Sequence, residues 1–358
     1  MTAPLEGTLV LDASRMLPGA VLARSLLDLG ARVIKVEDPS GGDPMRGTPP
    51  LVDGMGAGFA RFFAGAESVC LDLRSKDGAA AFRKLAKQAD VVVESFRPGT
   101  LGRWGLGPER LLALNGSLVV CSLPSFGAAD PKRIAHDLNI AALSGLLHAL
   151  GFSGESIPGV QIADVTTGLL ATSAILAALL SRHRTGRGMH LEQPLSASPL
   201  PFLAWALADA ARGEVGVLET VLGGRTPAYG VYTCADGKRL ALGAIEPKFW
   251  VEMVTAAGLP DLAGDGLDGG ARGAEARRRL AARLAEKPRA EWLKLAADRD
   301  LPLTPVNSVA EAMNDPLGAP VRAFLPAFAP AARGSAPALG AETKRVLAEF
   351  GVPTAGTT

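Results

Sequence analysis

The stretch TLVLDASRMLPGAVLARSLLDLGARVIKVE, residues 8–37, decides the fold. Thr8 to Asp12 is a short apolar run that reads as a strand. Pro18-Gly19 opens a helical pattern reaching about Leu29, Gly30 stops it, and Arg32 to Glu37 reads as the next strand. Strand, helix and strand in roughly 30 residues is a βαβ unit, whose two strands lie parallel with a right-handed crossover. The pattern continues through Ser68 to Leu73, a helix from about Lys76, Val91 to Glu94, a Pro/Gly turn, and Leu118 to Ser122. An α/β, doubly wound, Rossmann-like sheet is therefore expected, with ligands beyond the carboxyl ends of its strands.

Working outward, helices are expected near 138–150 and 165–183, with Thr185-Gly186-Arg187-Gly188 as a stop. At Tyr229 the character changes. YGVYTCADGKRLALGAI reads as a hairpin turning at Ala235-Asp236-Gly237-Lys238. Helices near 247–257, 272–286 and 288–298 and a strand from Leu303 to Val306 complete a smaller α+β unit. The expected organisation is a large domain over 1–190 completed by about 315–358, a connector helix over 191–225, and a small domain over 226–314. The Pro/Ala-rich stretch 316–341 leads to a terminal helix.

The chain of 358 residues balances 37 Lys+Arg against 36 Asp+Glu, a formal net charge of +1. This gives no electrostatic reason to expect nucleic acid or an anionic membrane as a partner. Cys70, Cys121 and Cys234 are far apart and form no Cys-x-x-Cys pair, so neither a disulfide framework nor a metal site is expected. The apolar run from Gly168 to Ser181 is shorter than the roughly 20 residues that span a bilayer. The N-terminal MTAPLEGTLVLD has no basic region ahead of an apolar run. A cytoplasmic location is expected.

The first βα turn, Asp12 to Gly19, lacks Gly-x-Gly-x-x-Gly, which argues against a nicotinamide cofactor. Glu37 ends the second strand, either as a ligand for a ribose or adenine or as a solvated strand-end acid. His136 precedes Asp137 at a helix start after the polar loop GAADPKRIA. The positive end of a helix disfavours a second positive charge, which suits a general base; equally, Asp137 alone explains the position as a cap. Asp164 opens the apolar helix 165–181, as a cap or as a carboxylate facing a pocket. Glu246, before Pro247, allows the same two readings.

The wording of the chain resembles the family III CoA-transferases (the CaiB/BaiF-like superfamily) and, within them, the α-methylacyl-CoA racemases. The resemblance runs through LLDLGARVIKVEDPSGGDPMR (26–46), VVVESFRPGTLGRWGLG (91–107), LVVCSLPSFG (118–127), AHDLNIAALSG (135–145), IADVTTGLLATSAILAALLSRHRTGRG (162–188) and DGKRLALGAIEPKFW (236–250). The runs around His136 and Glu246 look like the racemase branch. The resemblance implies His136 and Asp164 as two acid/bases on opposite faces of an α-carbon, with Glu246 as the acid that holds the His. It implies coenzyme A, as part of the substrate, along Arg15, the strand end Ile34 to Glu37 with Val36, Arg46, Arg97 and Asp137. It also implies an interlocked homodimer, with neither metal nor prosthetic group.

Several positions depart from the pattern. The basic loop that normally contacts coenzyme A phosphates reads Phe63-Ala64-Gly65-Ala66-Glu67-Ser68 here. Val165-Thr166-Thr167 replaces the glycines after the Asp, which is expected to narrow room for a thioester. Glu192-Gln193-Pro194-Leu195 replaces Asp-Ala-Ala-Met, and Gly340-Ala341-Glu342-Thr343 replaces Gly-x-His-Thr. Three readings follow: a 2-methylacyl-CoA racemase, a CoA-transferase with Asp164 as nucleophile, or an inactive family member that acts as a binding protein.

Overall fold

The opening βαβ unit folds as its pattern dictates. Strand β1 (Leu9–Asp12), helix α1 (Met16–Asp28) and strand β2 (Arg32–Glu37) follow in order, with Val10 opposite Val33 in a parallel ladder. Helix α1 is buried from Pro18 to Asp28, and the turn after it needs the left-handed φ of +93° that Gly30 supplies. This computed structural model describes residues 3–152, 154, 157–213, 216, 220–315 and 334–353. Residues 316–333, most of the Pro/Ala-rich stretch, lie outside them. The chain divides into two compact units, Met1–Phe202 with Pro320–Thr358, and Leu203–Ala319.

In the first unit β3 (Glu67–Cys70), β4 (Val91–Glu94), β5 (Val119–Ser122) and β6 (Met189–Glu192) join β1 and β2. The six-stranded order is β3-β2-β1-β4-β5-β6 and every pairing is parallel. Successive residues face opposite sides, so Leu9, Leu11, Ile34 and Val36 enter one core layer while Val10, Val33, Val91 and Val93 enter the other. Each such buried side chain contributes about 1.5–3 kcal/mol. The strand order reverses between β1 and β4, and the crevice at that switch point is where a doubly wound sheet binds ligands.

Two expectations need correction. Residues 189–190 were expected to close the large domain and 191–192 to open the connector helix, yet Met189–Glu192 is the sixth strand. It is an edge strand with alternating exposure, so it lacks the continuous apolar run that marks its buried neighbours. The long helix is also longer than its apolar run suggested. Helix α2 (Asp137–Leu143) is short, whereas α3 (Ile162–Thr185) has 24 residues, long and apolar enough by those criteria alone to cross a membrane. Half of that window is buried in the fold, and Ala171, Ile175 and Ala178 sit in the core layer against α1. The two helices touch at Gly168, where a Cβ would lie 2.6 Å from the Pro18 carbonyl oxygen.

The second unit carries an antiparallel sheet, β9-β8-β7, from β7 (Tyr229–Thr233), β8 (Arg239–Gly243) and β9 (Leu303–Pro305). Its hairpin turns where expected, with Gly237 at φ +72°. Helices Pro247–Ala256, Ala271–Leu284 and Arg289–Ala297 bury Trp250, Leu280 and Trp292 against it. After Pro320 the chain belongs to the first unit again. Thr343 Oγ1 accepts the Cys70 N–H at 3.0 Å and Glu342 accepts the Ser68 N–H at 2.7 Å, fixing the terminal segment on edge strand β3. Glu342, standing where the family pattern has His, thus serves the sheet edge.

Candidate active site

His136 and Asp164 come from two helix starts that meet beyond the end of β5. His136 is the extended residue before α2, and Asn139 Oδ1 accepts its backbone N–H at 3.1 Å. The cap readings of Asp137 and Asp164 do not hold. His136 itself occupies the cap position of α2, and Gln161 that of α3, so Asp164 lies inside the first turn. Asp137 instead turns its Oδ1 to the Asp164 N–H, at 3.0 Å. This bond joins the two helix starts directly. Beneath them Ala135, Ile140, Ala163 and Leu195 form a small separate core.

The carboxyl of Asp164 is pushed up to about 6, first by burial and then by the neighbouring negative charge of Asp137, with His136 opposing. Asp164 therefore exchanges protonation states close to neutrality. Asp164 and His136 line two cavities at once. One, of about 240 Å³, runs to the switch point past Arg15, Phe96, Arg97 and Arg133. The other, of about 280 Å³, is walled by Leu138, Leu146, Leu147, Leu150, Ile157 and Val160. The pair stands between an arginine-bearing channel and a leucine-walled chamber.

A third cavity, of about 250 Å³, opens at the ends of β1, β2 and β3 and shares Arg15 and Phe96 with the arginine-bearing channel. Val36 and Glu37 line it, as expected of the strand end. Its floor is a network of satisfied charges. The Lys35 ammonium is fully buried, 3.2 Å from Asp12 and 3.2 Å from Asp43, and donates to the Ser14 carbonyl at 2.6 Å. Asp43 in turn accepts the N–H of Met16 at 3.2 Å, and Met16 holds a left-handed φ of +65°. Such a conformation costs about 1–3 kcal/mol in a non-glycine residue; the buried network sustains it and sets where Arg15 emerges. The Arg15 N–H donates to Ser95 Oγ at 2.8 Å, tying the β1 and β4 turns together.

Arg46 departs from its expected part. Its guanidinium donates to both Glu37 oxygens, at 2.7 and 2.6 Å, and to the Pro337 carbonyl at 2.9 Å, with Phe59 beneath it at 3.9 Å. Burial raises the Glu37 carboxyl, but Arg46, Ser68 and the Asp43 N–H more than offset this and leave it lowered. Glu37 and Arg46 are committed to each other, so Arg46 holds the cavity-lining Glu37 rather than offering a free charge. Arg97, in contrast, is exposed at the channel.

Residues 63–68 line neither this cavity nor the channel. Glu67 is engaged by Arg32 and Arg345, and Ala64 accepts from Arg24. Thr166 and Thr167 do not narrow the channel either. Both are buried away from it, and Thr167 Oγ1 donates back to the Ala163 carbonyl at 2.8 Å. Glu246 lies in the second unit, exposed at the start of Pro247–Ala256, and its side chain makes no capping bond. Sequence reasoning missed Arg74, Phe96 and Trp104, which line the third cavity. The missing basic loop was the available signal, since it directs the search to a cation on the next turn. Among the described residues no group of His, Cys, Asp or Glu is placed to hold a metal ion.

Comparison with known proteins bears on this arrangement. The model of CoA-transferase family III matches residues 5–350. Human alpha-methylacyl-CoA racemase is 31% identical over 372 aligned residues, covering 97% of this chain and 93% of the relative. Mouse succinyl-CoA:glutarate CoA-transferase is 32% identical over 324, covering 87% and 74%. The crystal structure of a CAIB/BAIF family protein from Brucella suis superposes with a TM-score of 0.83 at 28% identity, covering 98% of this chain and 100% of that one.

Proposed function

Because the chain belongs to CoA-transferase family III, we propose that it is a racemase (epimerase) of 2-methylacyl-CoA thioesters. One observation carries this reading: Asp164, raised to about 6, and His136 both line a channel that bears Arg15, Arg97 and Arg133 and a chamber walled by leucines. A 2-methylacyl thioester placed there has its coenzyme A arm in the channel and its branched chain among Leu138, Leu146 and Leu150. Arg15, Arg97 and Arg74 meet the phosphates, and Val36 and Asp137 shape the path.

The chemistry is a proton transfer through an enolate. Neutral His136 takes the α-proton, the C–H electrons delocalise onto the thioester oxygen, and protonated Asp164 returns a proton to the opposite face. The product leaves with His136 charged and Asp164 ionised, which is the starting state for the reverse direction. Acid/base groups of this kind contribute about 10²–10⁴-fold each. The positive end of the 24-residue helix α3 lies where negative charge develops.

The acting form is an interlocked homodimer in the cytoplasm, with Glu246 supplied by the other copy's second unit to hold His136. Helix α4 (Leu200–Arg212) supports a second copy, since it exposes Leu200, Phe202, Trp205 and Leu207 at 50–57%. Replacing either His136 or Asp164 with Ala is expected to abolish epimerisation of a confirmed substrate; retention of full epimerisation sinks the reading. A CoA-transferase with Asp164 as nucleophile is the second reading, favoured by the near-equal identity to the mouse transferase. Hydroxylamine trapping separates the two, because only the transferase forms an aspartyl anhydride or thioester at Asp164.

A further inference from the structure

One departure from the family wording, Thr167, meets in space a residue just beyond another, the stretch Glu192 to Leu195. Thr167, where glycine is usual, and Ser198, at the end of the segment that begins with Glu192, are both fully buried and their hydroxyls lie 2.5 Å apart. Thr167 has one proton and spends it on the Ala163 carbonyl, so Ser198 donates to Thr167. The chain of bonds ends on the residue before Asp164. The first turn of α3 is thus held from one side by Asp137 and from the other by Ser198.

The same short segment also holds the His136 side. The N–H of Leu195 donates to the Pro124 carbonyl at 2.9 Å, and that of Ser196 to the Ser125 carbonyl at 3.0 Å. Glu192 Oε1 accepts the Ala128 N–H at 3.0 Å, and Gly127 beside it sits at φ +61°, where a Cβ would lie 2.1 Å from that oxygen. Ser125 Oγ then donates to the Ala135 carbonyl at 3.1 Å, closing the loop just before His136. Leu195 fills the small core under both groups.

We propose that Thr167 and Ser198 are positioning residues for Asp164, and that residues 192–198 form a bracket setting Asp164 and His136 in register. This rests on the acid/base reading of Asp164. The usual glycine at 167 carries no hydroxyl for such a bond, so this chain replaces backbone slenderness with a side-chain tether.

The test uses the full-length chain carrying Thr167→Val, Ser198→Ala or Thr167→Ser. Misplacement of a reacting group by an ångström costs up to about 10²-fold. Thr167→Val and Ser198→Ala are expected to lower kcat roughly tenfold with KM within about twofold, and Thr167→Ser to restore it. Carbon NMR titration of the Asp164 carboxyl supplies a readout without turnover. Its midpoint, about 6 in the parent, is expected to fall in the Val and Ala variants as the loosened turn admits water. Folded Ser198→Ala protein with parental kcat and a parental Asp164 midpoint overturns the bracket. If the parent exchanges no α-proton on any thioester, the racemase reading falls, and the carboxyl titration alone decides the bracket.

Discussion

The cavity that holds His136 and Asp164 and the cavity beyond Arg15 open at the ends of the same sheet, yet charge is arranged differently around each. Beyond Arg15 the deep charges are partnered: Lys35 lies between Asp12 and Asp43, and Glu37 is held by Arg46. Only the outer cations, Arg15 and Arg74, stay substantially exposed, each at one edge of Asp38. Around Asp164 the arrangement is reversed, for a carboxyl is set beside another carboxylate and partly desolvated. A binding end gains from a rigid floor whose charges are already satisfied. On the proposed reading the other end is catalytic, and it needs a group such as Asp164 whose protonation changes near neutral pH.

This contrast is broken most directly by removing the two proposed acid/base groups. His136→Ala and Asp164→Ala are each expected to lower the rate of α-proton exchange by about 10²–10⁴-fold, while coenzyme A affinity, measured by calorimetry, stays within about twofold of the parent. Equal losses of affinity and rate would mean that the two ends are not separate. Lys35→Met probes the floor, because it leaves Asp12 and Asp43 buried without a counter-charge. Breaking such a pair costs about 3–5 kcal/mol, to be read by denaturant unfolding. A stability loss under about 1 kcal/mol would show that the network is solvated and that the contrast is overstated.

Smaller effects sharpen the comparison. Arg74→Ala removes an exposed cation and is expected to raise KM roughly tenfold with kcat unchanged, the effect shrinking in high salt. A further effect is in stability against pH. Asp164 binds its proton more tightly in the folded chain, about 6 against an ordinary 3.8. The native state therefore holds more protons between those values, so stability falls as pH rises from about 4 to about 6 and is level above. Asp164→Asn is expected to remove that slope, and an unchanged slope would place its cause elsewhere.

How much of this was legible in the sequence differs between the two ends. The βαβ repeat announced the sheet, because buried parallel strands such as Val91–Glu94 are continuous apolar runs bounded by turns. Strand β6 escaped, since an edge strand with half its residues exposed has no such run. His136 and Asp164 were legible through the wording around them, whereas spacing alone allowed helix caps. The Asp137 bond to the Asp164 N–H joins residues 27 positions apart, and no local pattern reports it. Arg46 misled for the same reason. Arg46, in the turn Pro44–Gly47, is placed along coenzyme A by the resemblance until its partner Glu37, nine residues earlier, is seen facing it. Thr167 read as an obstruction because a larger side chain after a catalytic Asp suggests crowding. Only the packing of α3 shows that this side chain points away from the channel, toward Ser198.

The central claim is that Asp164 and His136 move one proton across the α-carbon of a thioester. The direct measurement is proton NMR of the purified chain with a single epimer of a 2-methylacyl-CoA in deuterium oxide. The account predicts that the α-proton signal disappears while the other epimer grows in. An α-proton that persists over several acyl chains, with the protein folded and coenzyme A bound, contradicts it and leaves acyl transfer through Asp164 as the reaction to pursue.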